Sequence, residues 1–203
     1  MNLYCQTHTM THLVKSFEEV QSSDIHSLGV ENVSYATSGA ILNYGLVTTA
    51  DAYWYFLEAN DLFDTLLLNI RNISDLTISE ISKKCQSAIL EGKVPYNLFR
   101  SLTKQYEKLK ENGCEAEEVE MWAEIISEKD PSFSFSKNEG MYALVKDWDS
   151  LIHHLKVFYA SLFDADAMLD HLKSGFRLMD LAVSIRIQPI VQQEEEIYSL
   201  IKK

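Results

Sequence analysis

Two segments of this sequence alternate apolar and polar residues so regularly that each reads as a half-buried β-strand. In VEMWAEII, Val119, Met121, Ala123 and Ile125 fall on one side and Glu120, Trp122 and Glu124 on the other. In LAVSIRIQPIV, Val183, Ile185 and Ile187 oppose Ser184, Arg186 and Gln188. A period of two sends alternate side chains to opposite faces, so a chain with two such strands must build a sheet with one aliphatic and one polar face. An indole between two carboxylates on the polar face is out of place there.

Helical spacing accounts for most of the rest. Thr48 with Asp51 caps a helix through AYWYFLEA, and the acid also suits the positive end of the helix dipole. Thr77 and Glu80 form a capping box ahead of Ile78, Ile81, Cys85 and Ile89. Pro95 opens a helix striped by Leu98, Phe99, Leu102, Tyr106 and Leu109, with a stop signal at Asn112-Gly113. A further helix runs from Asp149 to Phe163, with Leu151, Leu155, Phe158 and Leu162 on its apolar face.

HLVKS, YGLVT and MYALV read as short strands, whereas SLGVENVSYATSGA is small, polar and turn-like. The elements mix without a regular βαβ alternation, so the fold class is α+β. With seven Gly, three Pro and no flexible linker inside it, the stretch 13–192 reads as one unit. It is preceded by an N-terminal arm, 1–12, and followed by an acidic C-terminal tail, 193–203, expected to be a short helix with a solvated carboxylate run.

At 203 residues, 46% hydrophobic and 11% aromatic, the composition is that of one globular domain. A net charge of −12 opposes binding to nucleic acid or to an anionic membrane. No segment approaches the roughly 20 apolar residues of a membrane span, and the first residues lack a secretory apolar core. Cys5, Cys85 and Cys114 are odd in number and widely spaced, which fits reduced thiols and a cytoplasmic location. His8 and His12 stand four apart near Cys5, but a fourth ligand is missing, so no metal is expected. A helix splays the adjacent His153 and His154 by about 100°, which makes them surface residues. No nucleophile elbow, Walker loop or dinucleotide fingerprint is present.

Several segments in order resemble the N-terminal ATP-grasp half of the phosphoenolpyruvate synthase and pyruvate phosphate dikinase family. SFEEVQSSDIHSLGVENVSYA is similar to the family's opening strand and its Gly-Gly-Lys-Asn-Ala-Ser-Leu-Gly loop. GLVTTADAYWYFLEAN is similar to Gly-Phe-Val-Val-Thr-Thr-x-Ala-Tyr-x-x-Phe-Leu, and GKVP to a Gly-x-x-Pro connection between paired helices. VEMWAEIISEKDPSFSF aligns without a gap on Val-Ala-Val-Arg-Ser-Ser-Ala-Thr-Ala-Glu-Asp-Leu-Pro-Asp-Ala-Ser-Phe. FYASLFDADAM and IRIQPIV match a Phe-Ala-Ser-Leu-Phe element and a Val-Gln-x-Met-Val strand. The resemblance implies a mixed, mainly antiparallel sheet with packed helices.

The nucleotide-site positions this resemblance carries over are Gly29, Glu31, Trp122, Glu128 and Asp166, and most depart from the pattern. Glu31 stands for a phosphate-binding Lys, Trp122 for a phosphate-contacting Arg, and Asp166 for another Arg. Reversing a charge turns attraction into repulsion, each side worth about 4 kcal/mol at ~4 Å in a partly shielded site (ε about 20), and Trp offers no bidentate donor. The chain also ends where the family's second ATP-grasp subdomain would begin.

The expectation is therefore a non-catalytic relative acting as a binding or regulatory module, with no ATP or Mg cofactor. Its partner would be another protein or a second copy, through an interface at Trp122, Glu120 and Glu124. The alternatives are half of a split ATP-dependent phosphotransferase completed by a partner chain, which would use ATP and Mg, and a sensor of a non-nucleotide small molecule in an acidic cleft.

Overall fold

The computed structural model describes residues 12–38, 44–71, 77–111, 118–127, 130, 134–135 and 141–190. The two alternating segments form the centre of one sheet. Strand β3 (Val119–Ser127) and strand β6 (Leu181–Pro189) pair antiparallel along their whole lengths, from Val119 opposite Pro189 to Ser127 opposite Leu181. β2 (Leu46–Thr48) joins the far side of β6, and β1 (Val14–Ser16) joins β2. On its other side β3 carries two short neighbours. β4 (Ser134–Phe135) lies along Ile125 and Ile126, and β5 (Tyr142–Val145) lies along Val119 to Trp122. Every described strand pair is antiparallel, and the class is α+β as expected.

The aliphatic side of β3 and β6 is covered by helices. α3 (Ala50–Ala59) and α7 (Trp148–Ser161) pack on β6, and α5 (Ile78–Glu91) packs on α7. Phe56, Phe158 and Tyr159 are almost wholly buried there, and the Tyr53 and Tyr159 rings meet edge-on at 5.1 Å. Fully burying an aromatic or aliphatic side chain of this size is worth about 1.5–3 kcal/mol, so this layer is the main source of stability. α4 (Leu62–Ile70) packs on α3 and α5, and α6 (Tyr96–Glu111) packs on β1. Asp147 caps α7 by accepting the Ser150 N–H at 2.7 Å. α8 (Ala165–Lys173) follows and lies on α5.

Two expectations need correction. The stretch read as turn-like contains two helices, α1 (Ile25–Leu28) and α2 (Val30–Thr37). Their short, polar residues hide a second apolar cluster, in which Leu28, Val33 and Ala36 pack with Phe17, Val20 and Val47 on the opposite side of the sheet from α3 and α7. Ser, Asn and Gly lower local helix propensity, and tertiary contacts outweigh it here. The start of α3 is also displaced by one residue. Thr49 occupies its N-cap position, while the Thr48 hydroxyl is buried in the sheet and accepts the Ile185 N–H at 3.0 Å. The stop at Asn112-Gly113 and the acidic tail lie outside the described residues. Among the described residues no helix is long and apolar enough to cross a membrane.

Candidate functional site

The polar side of β3 meets α2 at the α2 N-terminus. Such an end presents backbone N–H groups without helical partners and a partial positive charge, and an oxygen acceptor at the second and third positions satisfies them. Here the acceptor comes from far along the chain. The Glu124 carboxylate accepts the Glu31 N–H at 3.2 Å and the Asn32 N–H at 3.0 Å, spanning 93 and 92 residues. Gly29 makes the approach possible. It has φ +87°, a region L side chains rarely adopt, and a Cβ there would lie 2.3 Å from the Glu124 Cδ. Glu124 is only 2% exposed.

A hydrogen-bonded chain continues inward. The Asn32 amide donates to the Leu28 carbonyl and to the Ser184 hydroxyl, both at 3.0 Å. Ser184 in turn donates to the Thr48 carbonyl at 2.9 Å. These contacts join α1, α2, β3, β6 and β2 into one buried network, which is rigid because each member is held by its neighbours. From the middle of β1, Lys15 pairs with Asp24 at 2.7 Å and ties the N-cap of α1 to the sheet. Burial raises the Asp24 carboxyl, but the Lys15 and Gln21 hydrogen bonds overcome this and hold it below the usual range.

Beside this network lies a cation among rings. Val47, Arg186, Trp122 and Tyr142 are successive register partners across β2, β6, β3 and β5. The Arg186 guanidinium lies 3.8 Å from the centre of the Tyr35 ring, which reaches over from α2, and 5.7 Å from that of Trp122. Both separations are within cation–π range. Burial pulls the Arg186 pKa down, opposed by Tyr35, Glu120, Glu31 and Glu124. Trp122 and Tyr142 pack with ring centres 4.5 Å apart. Glu120 accepts a hydrogen bond from the Gln188 side-chain amide and one from the Tyr142 hydroxyl, and burial together with Glu120 raises the Tyr142 pKa.

Gly29, Glu31, Trp122 and Glu124 thus come together, although nearly a hundred residues separate the two segments. Glu120 sits at the edge of the group. Asp166 does not join it through any contact described here. It is an exposed first-turn residue of α8, its N–H donating to Asp164 at 3.1 Å. Glu128 lies outside the described residues, as do Cys5 and His8. The expectation of Glu124 at an interface is corrected, because its carboxylate is enclosed under α2 rather than offered to a partner. Glu31 keeps its side chain exposed while its backbone holds Glu124.

Asn32 and Arg186, like Tyr35 and Tyr142, were not singled out from sequence. The signal for Arg186 was its place on the polar face of an alternating strand; its register opposite Trp122 was not legible. Cys85 is buried, and burial pushes its thiol up to about 11, against a hydrogen bond from Asn69 that lowers it. His154 Nδ1 contacts the Ser150 carbonyl at 2.8 Å on α7. Among the described residues no group of His, Cys, Asp and Glu could hold a metal ion.

The family described as "Pyruvate phosphate dikinase, AMP/ATP-binding domain" matches residues 31–199. Phosphoenolpyruvate synthase of Helicobacter pylori is 25% identical over 193 residues, covering 90% of this chain and 24% of that protein. Phosphoenolpyruvate synthase of Aquifex aeolicus is also 25% identical over 193 residues, with 90% and 22% covered. Rifampicin phosphotransferase of Bacillus subtilis is 22% identical over 189 residues, with 90% and 21% covered. The chain spans 24%, 22% and 21% of the lengths of these three relatives. A match over most of the chain, together with an α+β fold that unites the two expected site segments, places it: the chain belongs to the family of pyruvate phosphate dikinase AMP/ATP-binding domains.

Proposed function

We propose that this chain is a non-catalytic member of its family, a binding or regulatory module that does not bind nucleotide triphosphate. One observation carries this reading: the Glu124 carboxylate fills the N-terminus of α2 beside Gly29. Backbone amides at a helix N-terminus beside a glycine are the groups that receive phosphate in nucleotide sites. Here they already hold an internal anion, 2% exposed, and an exposed Glu31 adjoins it. A phosphate would have to expel a buried carboxylate and then face a second one. Trp122, in place of an Arg, supplies no bidentate donor.

The residues present therefore do not fit ATP with Mg, and no phosphoryl-transfer step is assigned to them. The activity is binding, to a protein partner or a second copy, and an odd number of widely spaced cysteines suits the cytoplasm. Isothermal titration with Mg-ATP tests the reading. Silence is expected, and low-micromolar binding would sink it.

A second reading rests on Arg186. Directly opposite Trp122 in register, it keeps a guanidinium on the face where the family resemblance places one. Two relatives are named rifampicin phosphotransferase. Under this reading the chain is half of a phosphotransferase whose other half is a separate polypeptide. ATP turnover on mixing with that polypeptide supports it, and lack of turnover with every co-expressed candidate removes it.

A further inference from the structure

Beyond α2, the polar side of the sheet presents three large, partly exposed side chains. Trp122, Tyr142 and Leu144 are 36%, 42% and 49% exposed. Trp122 and Tyr142 are register partners and Leu144 lies two residues farther along β5, so all three share one face. Among the described residues, no strand lies on the outer side of the two β5 residues. The Ala123 N–H donates to the Met141 carbonyl at 2.9 Å, which makes that pair a hydrogen-bonded one. Alternation along an antiparallel ladder then turns the peptide groups of Tyr142 and Leu144 away from β3. Among the described residues β5 pairs with β3 alone. Apolar side chains for grip and backbone groups for pairing coincide on the same two residues.

Charge selects the occupant. Glu120 lies on β3 beside these residues, Glu118 immediately precedes that strand, and the whole chain carries −12. Lys146, at the end of β5, is drawn to Glu118 at 2.6 Å. A second copy would bring another −12 and a second Lys146 to the same edge, and a lysine at a strand end opposes self-pairing. A basic segment is attracted by the same field.

We infer that β5 is the docking edge for an extended, basic segment of a different protein. That segment adds as a further strand and rests an aromatic or aliphatic anchor on Trp122, Tyr142 and Leu144. The inference builds on the binding-module reading and names the chemistry of the partner.

The test uses the full chain and a dye-labelled designed peptide of alternating Lys and Val with a central Phe. Its counterpart carries Glu at every Lys. Fluorescence anisotropy should show the basic peptide binding at least about ten-fold tighter, as opposite charge at a rim predicts. Tyr142→Ser with Leu144→Ser should weaken it by a further factor of about ten, as expected when anchor contacts are lost. Both side chains are exposed, so the variant should keep its cooperative unfolding. The single variant Leu144→Lys should weaken the basic peptide and not the acidic one. Binding should also slow hydrogen exchange at the Tyr142 and Leu144 amides.

Equal binding of the two peptides, no binding of either, or binding unchanged by the serine pair overturns the inference. So does a dimer of the chain that the serine pair dissociates. A Mg-ATP titration in parallel separates the two claims. Peptide failure with silent ATP removes the docking edge alone, whereas ATP binding removes the module reading.

Discussion

Glu120 and Glu124 lie on the same side of β3, two pleat repeats apart with Trp122 between them. Glu120 is half-buried at the border of bare sheet and is held by Gln188 and Tyr142. Glu124 is 2% exposed and holds the amides of Glu31 and Asn32. The strand alternates in the same way at both positions. What differs is the layer above it: α1 and α2 cover the Glu124 half and end before Trp122, Tyr142 and Leu144. The comparison teaches that a polar strand face is only a permission. Whether a carboxylate there meets water, a partner or a helix end depends on what packs over it.

The comparison is broken most directly at Glu124. Glu124→Ala leaves two enclosed N–H groups without their acceptor and should cost about 2–4 kcal/mol in urea unfolding. Glu124→Gln, which keeps an acceptor oxygen, should cost less. An alanine variant with the parent midpoint would show that the buried half is no more dependent on its carboxylate than the bare half.

Next in size is Gly29→Ala, expected to cost about 1–3 kcal/mol from the positive φ and the contact with Glu124. In the Glu124→Ala background only the backbone strain remains, so the two effects should fall short of additive. Strict additivity would argue that Gly29 and Glu124 do not sense each other.

Asp24→Asn sharpens the boundary of the covered half, and should cost about 1–2 kcal/mol through the lost charged hydrogen bond to Lys15. The folded-state pKa of Asp24 is lowered, so its contribution is present above the unfolded value of about 3.9 and fades as pH falls through the depressed folded value. Stability of the parent should therefore drop in acid more steeply than that of Asp24→Asn. Parallel acid limbs would contradict the pairing.

The smallest effects belong to the bare half. Leu144→Ser should stay within about 0.5 kcal/mol, because its side chain is half exposed. A large loss at Leu144 would mean that this face is covered after all.

Much of the sheet was legible because its pattern is local. The alternation in β3 and β6, and the apolar stripes of α5, α6 and α7, are repeated over several turns or pleats, so neighbouring residues vote together. α1 and α2 escaped because their local vote is weak. Their Ser, Asn and Gly residues favour turns, and what holds them is Phe17 and Val47 below and a carboxylate from β3 at the end. Of the site, Glu31 and Trp122 drew notice in the sequence only through the resemblance, which implies cations at those positions. Arg186 did not, since its meaning lies in standing across the ladder from Trp122.

By itself, then, the sequence determined two alternating strands, the helices whose aliphatic faces cover one side of them, and a family likeness. Period and composition act over a few neighbouring residues, and they leave one face of each strand polar. Only the tertiary structure decided that Glu124 on that face is an internal anion and Trp122 a surface residue. The reason is physical: the amides that claim Glu124 lie 93 and 92 residues away, and no local pattern records which helix end a fold brings to which strand.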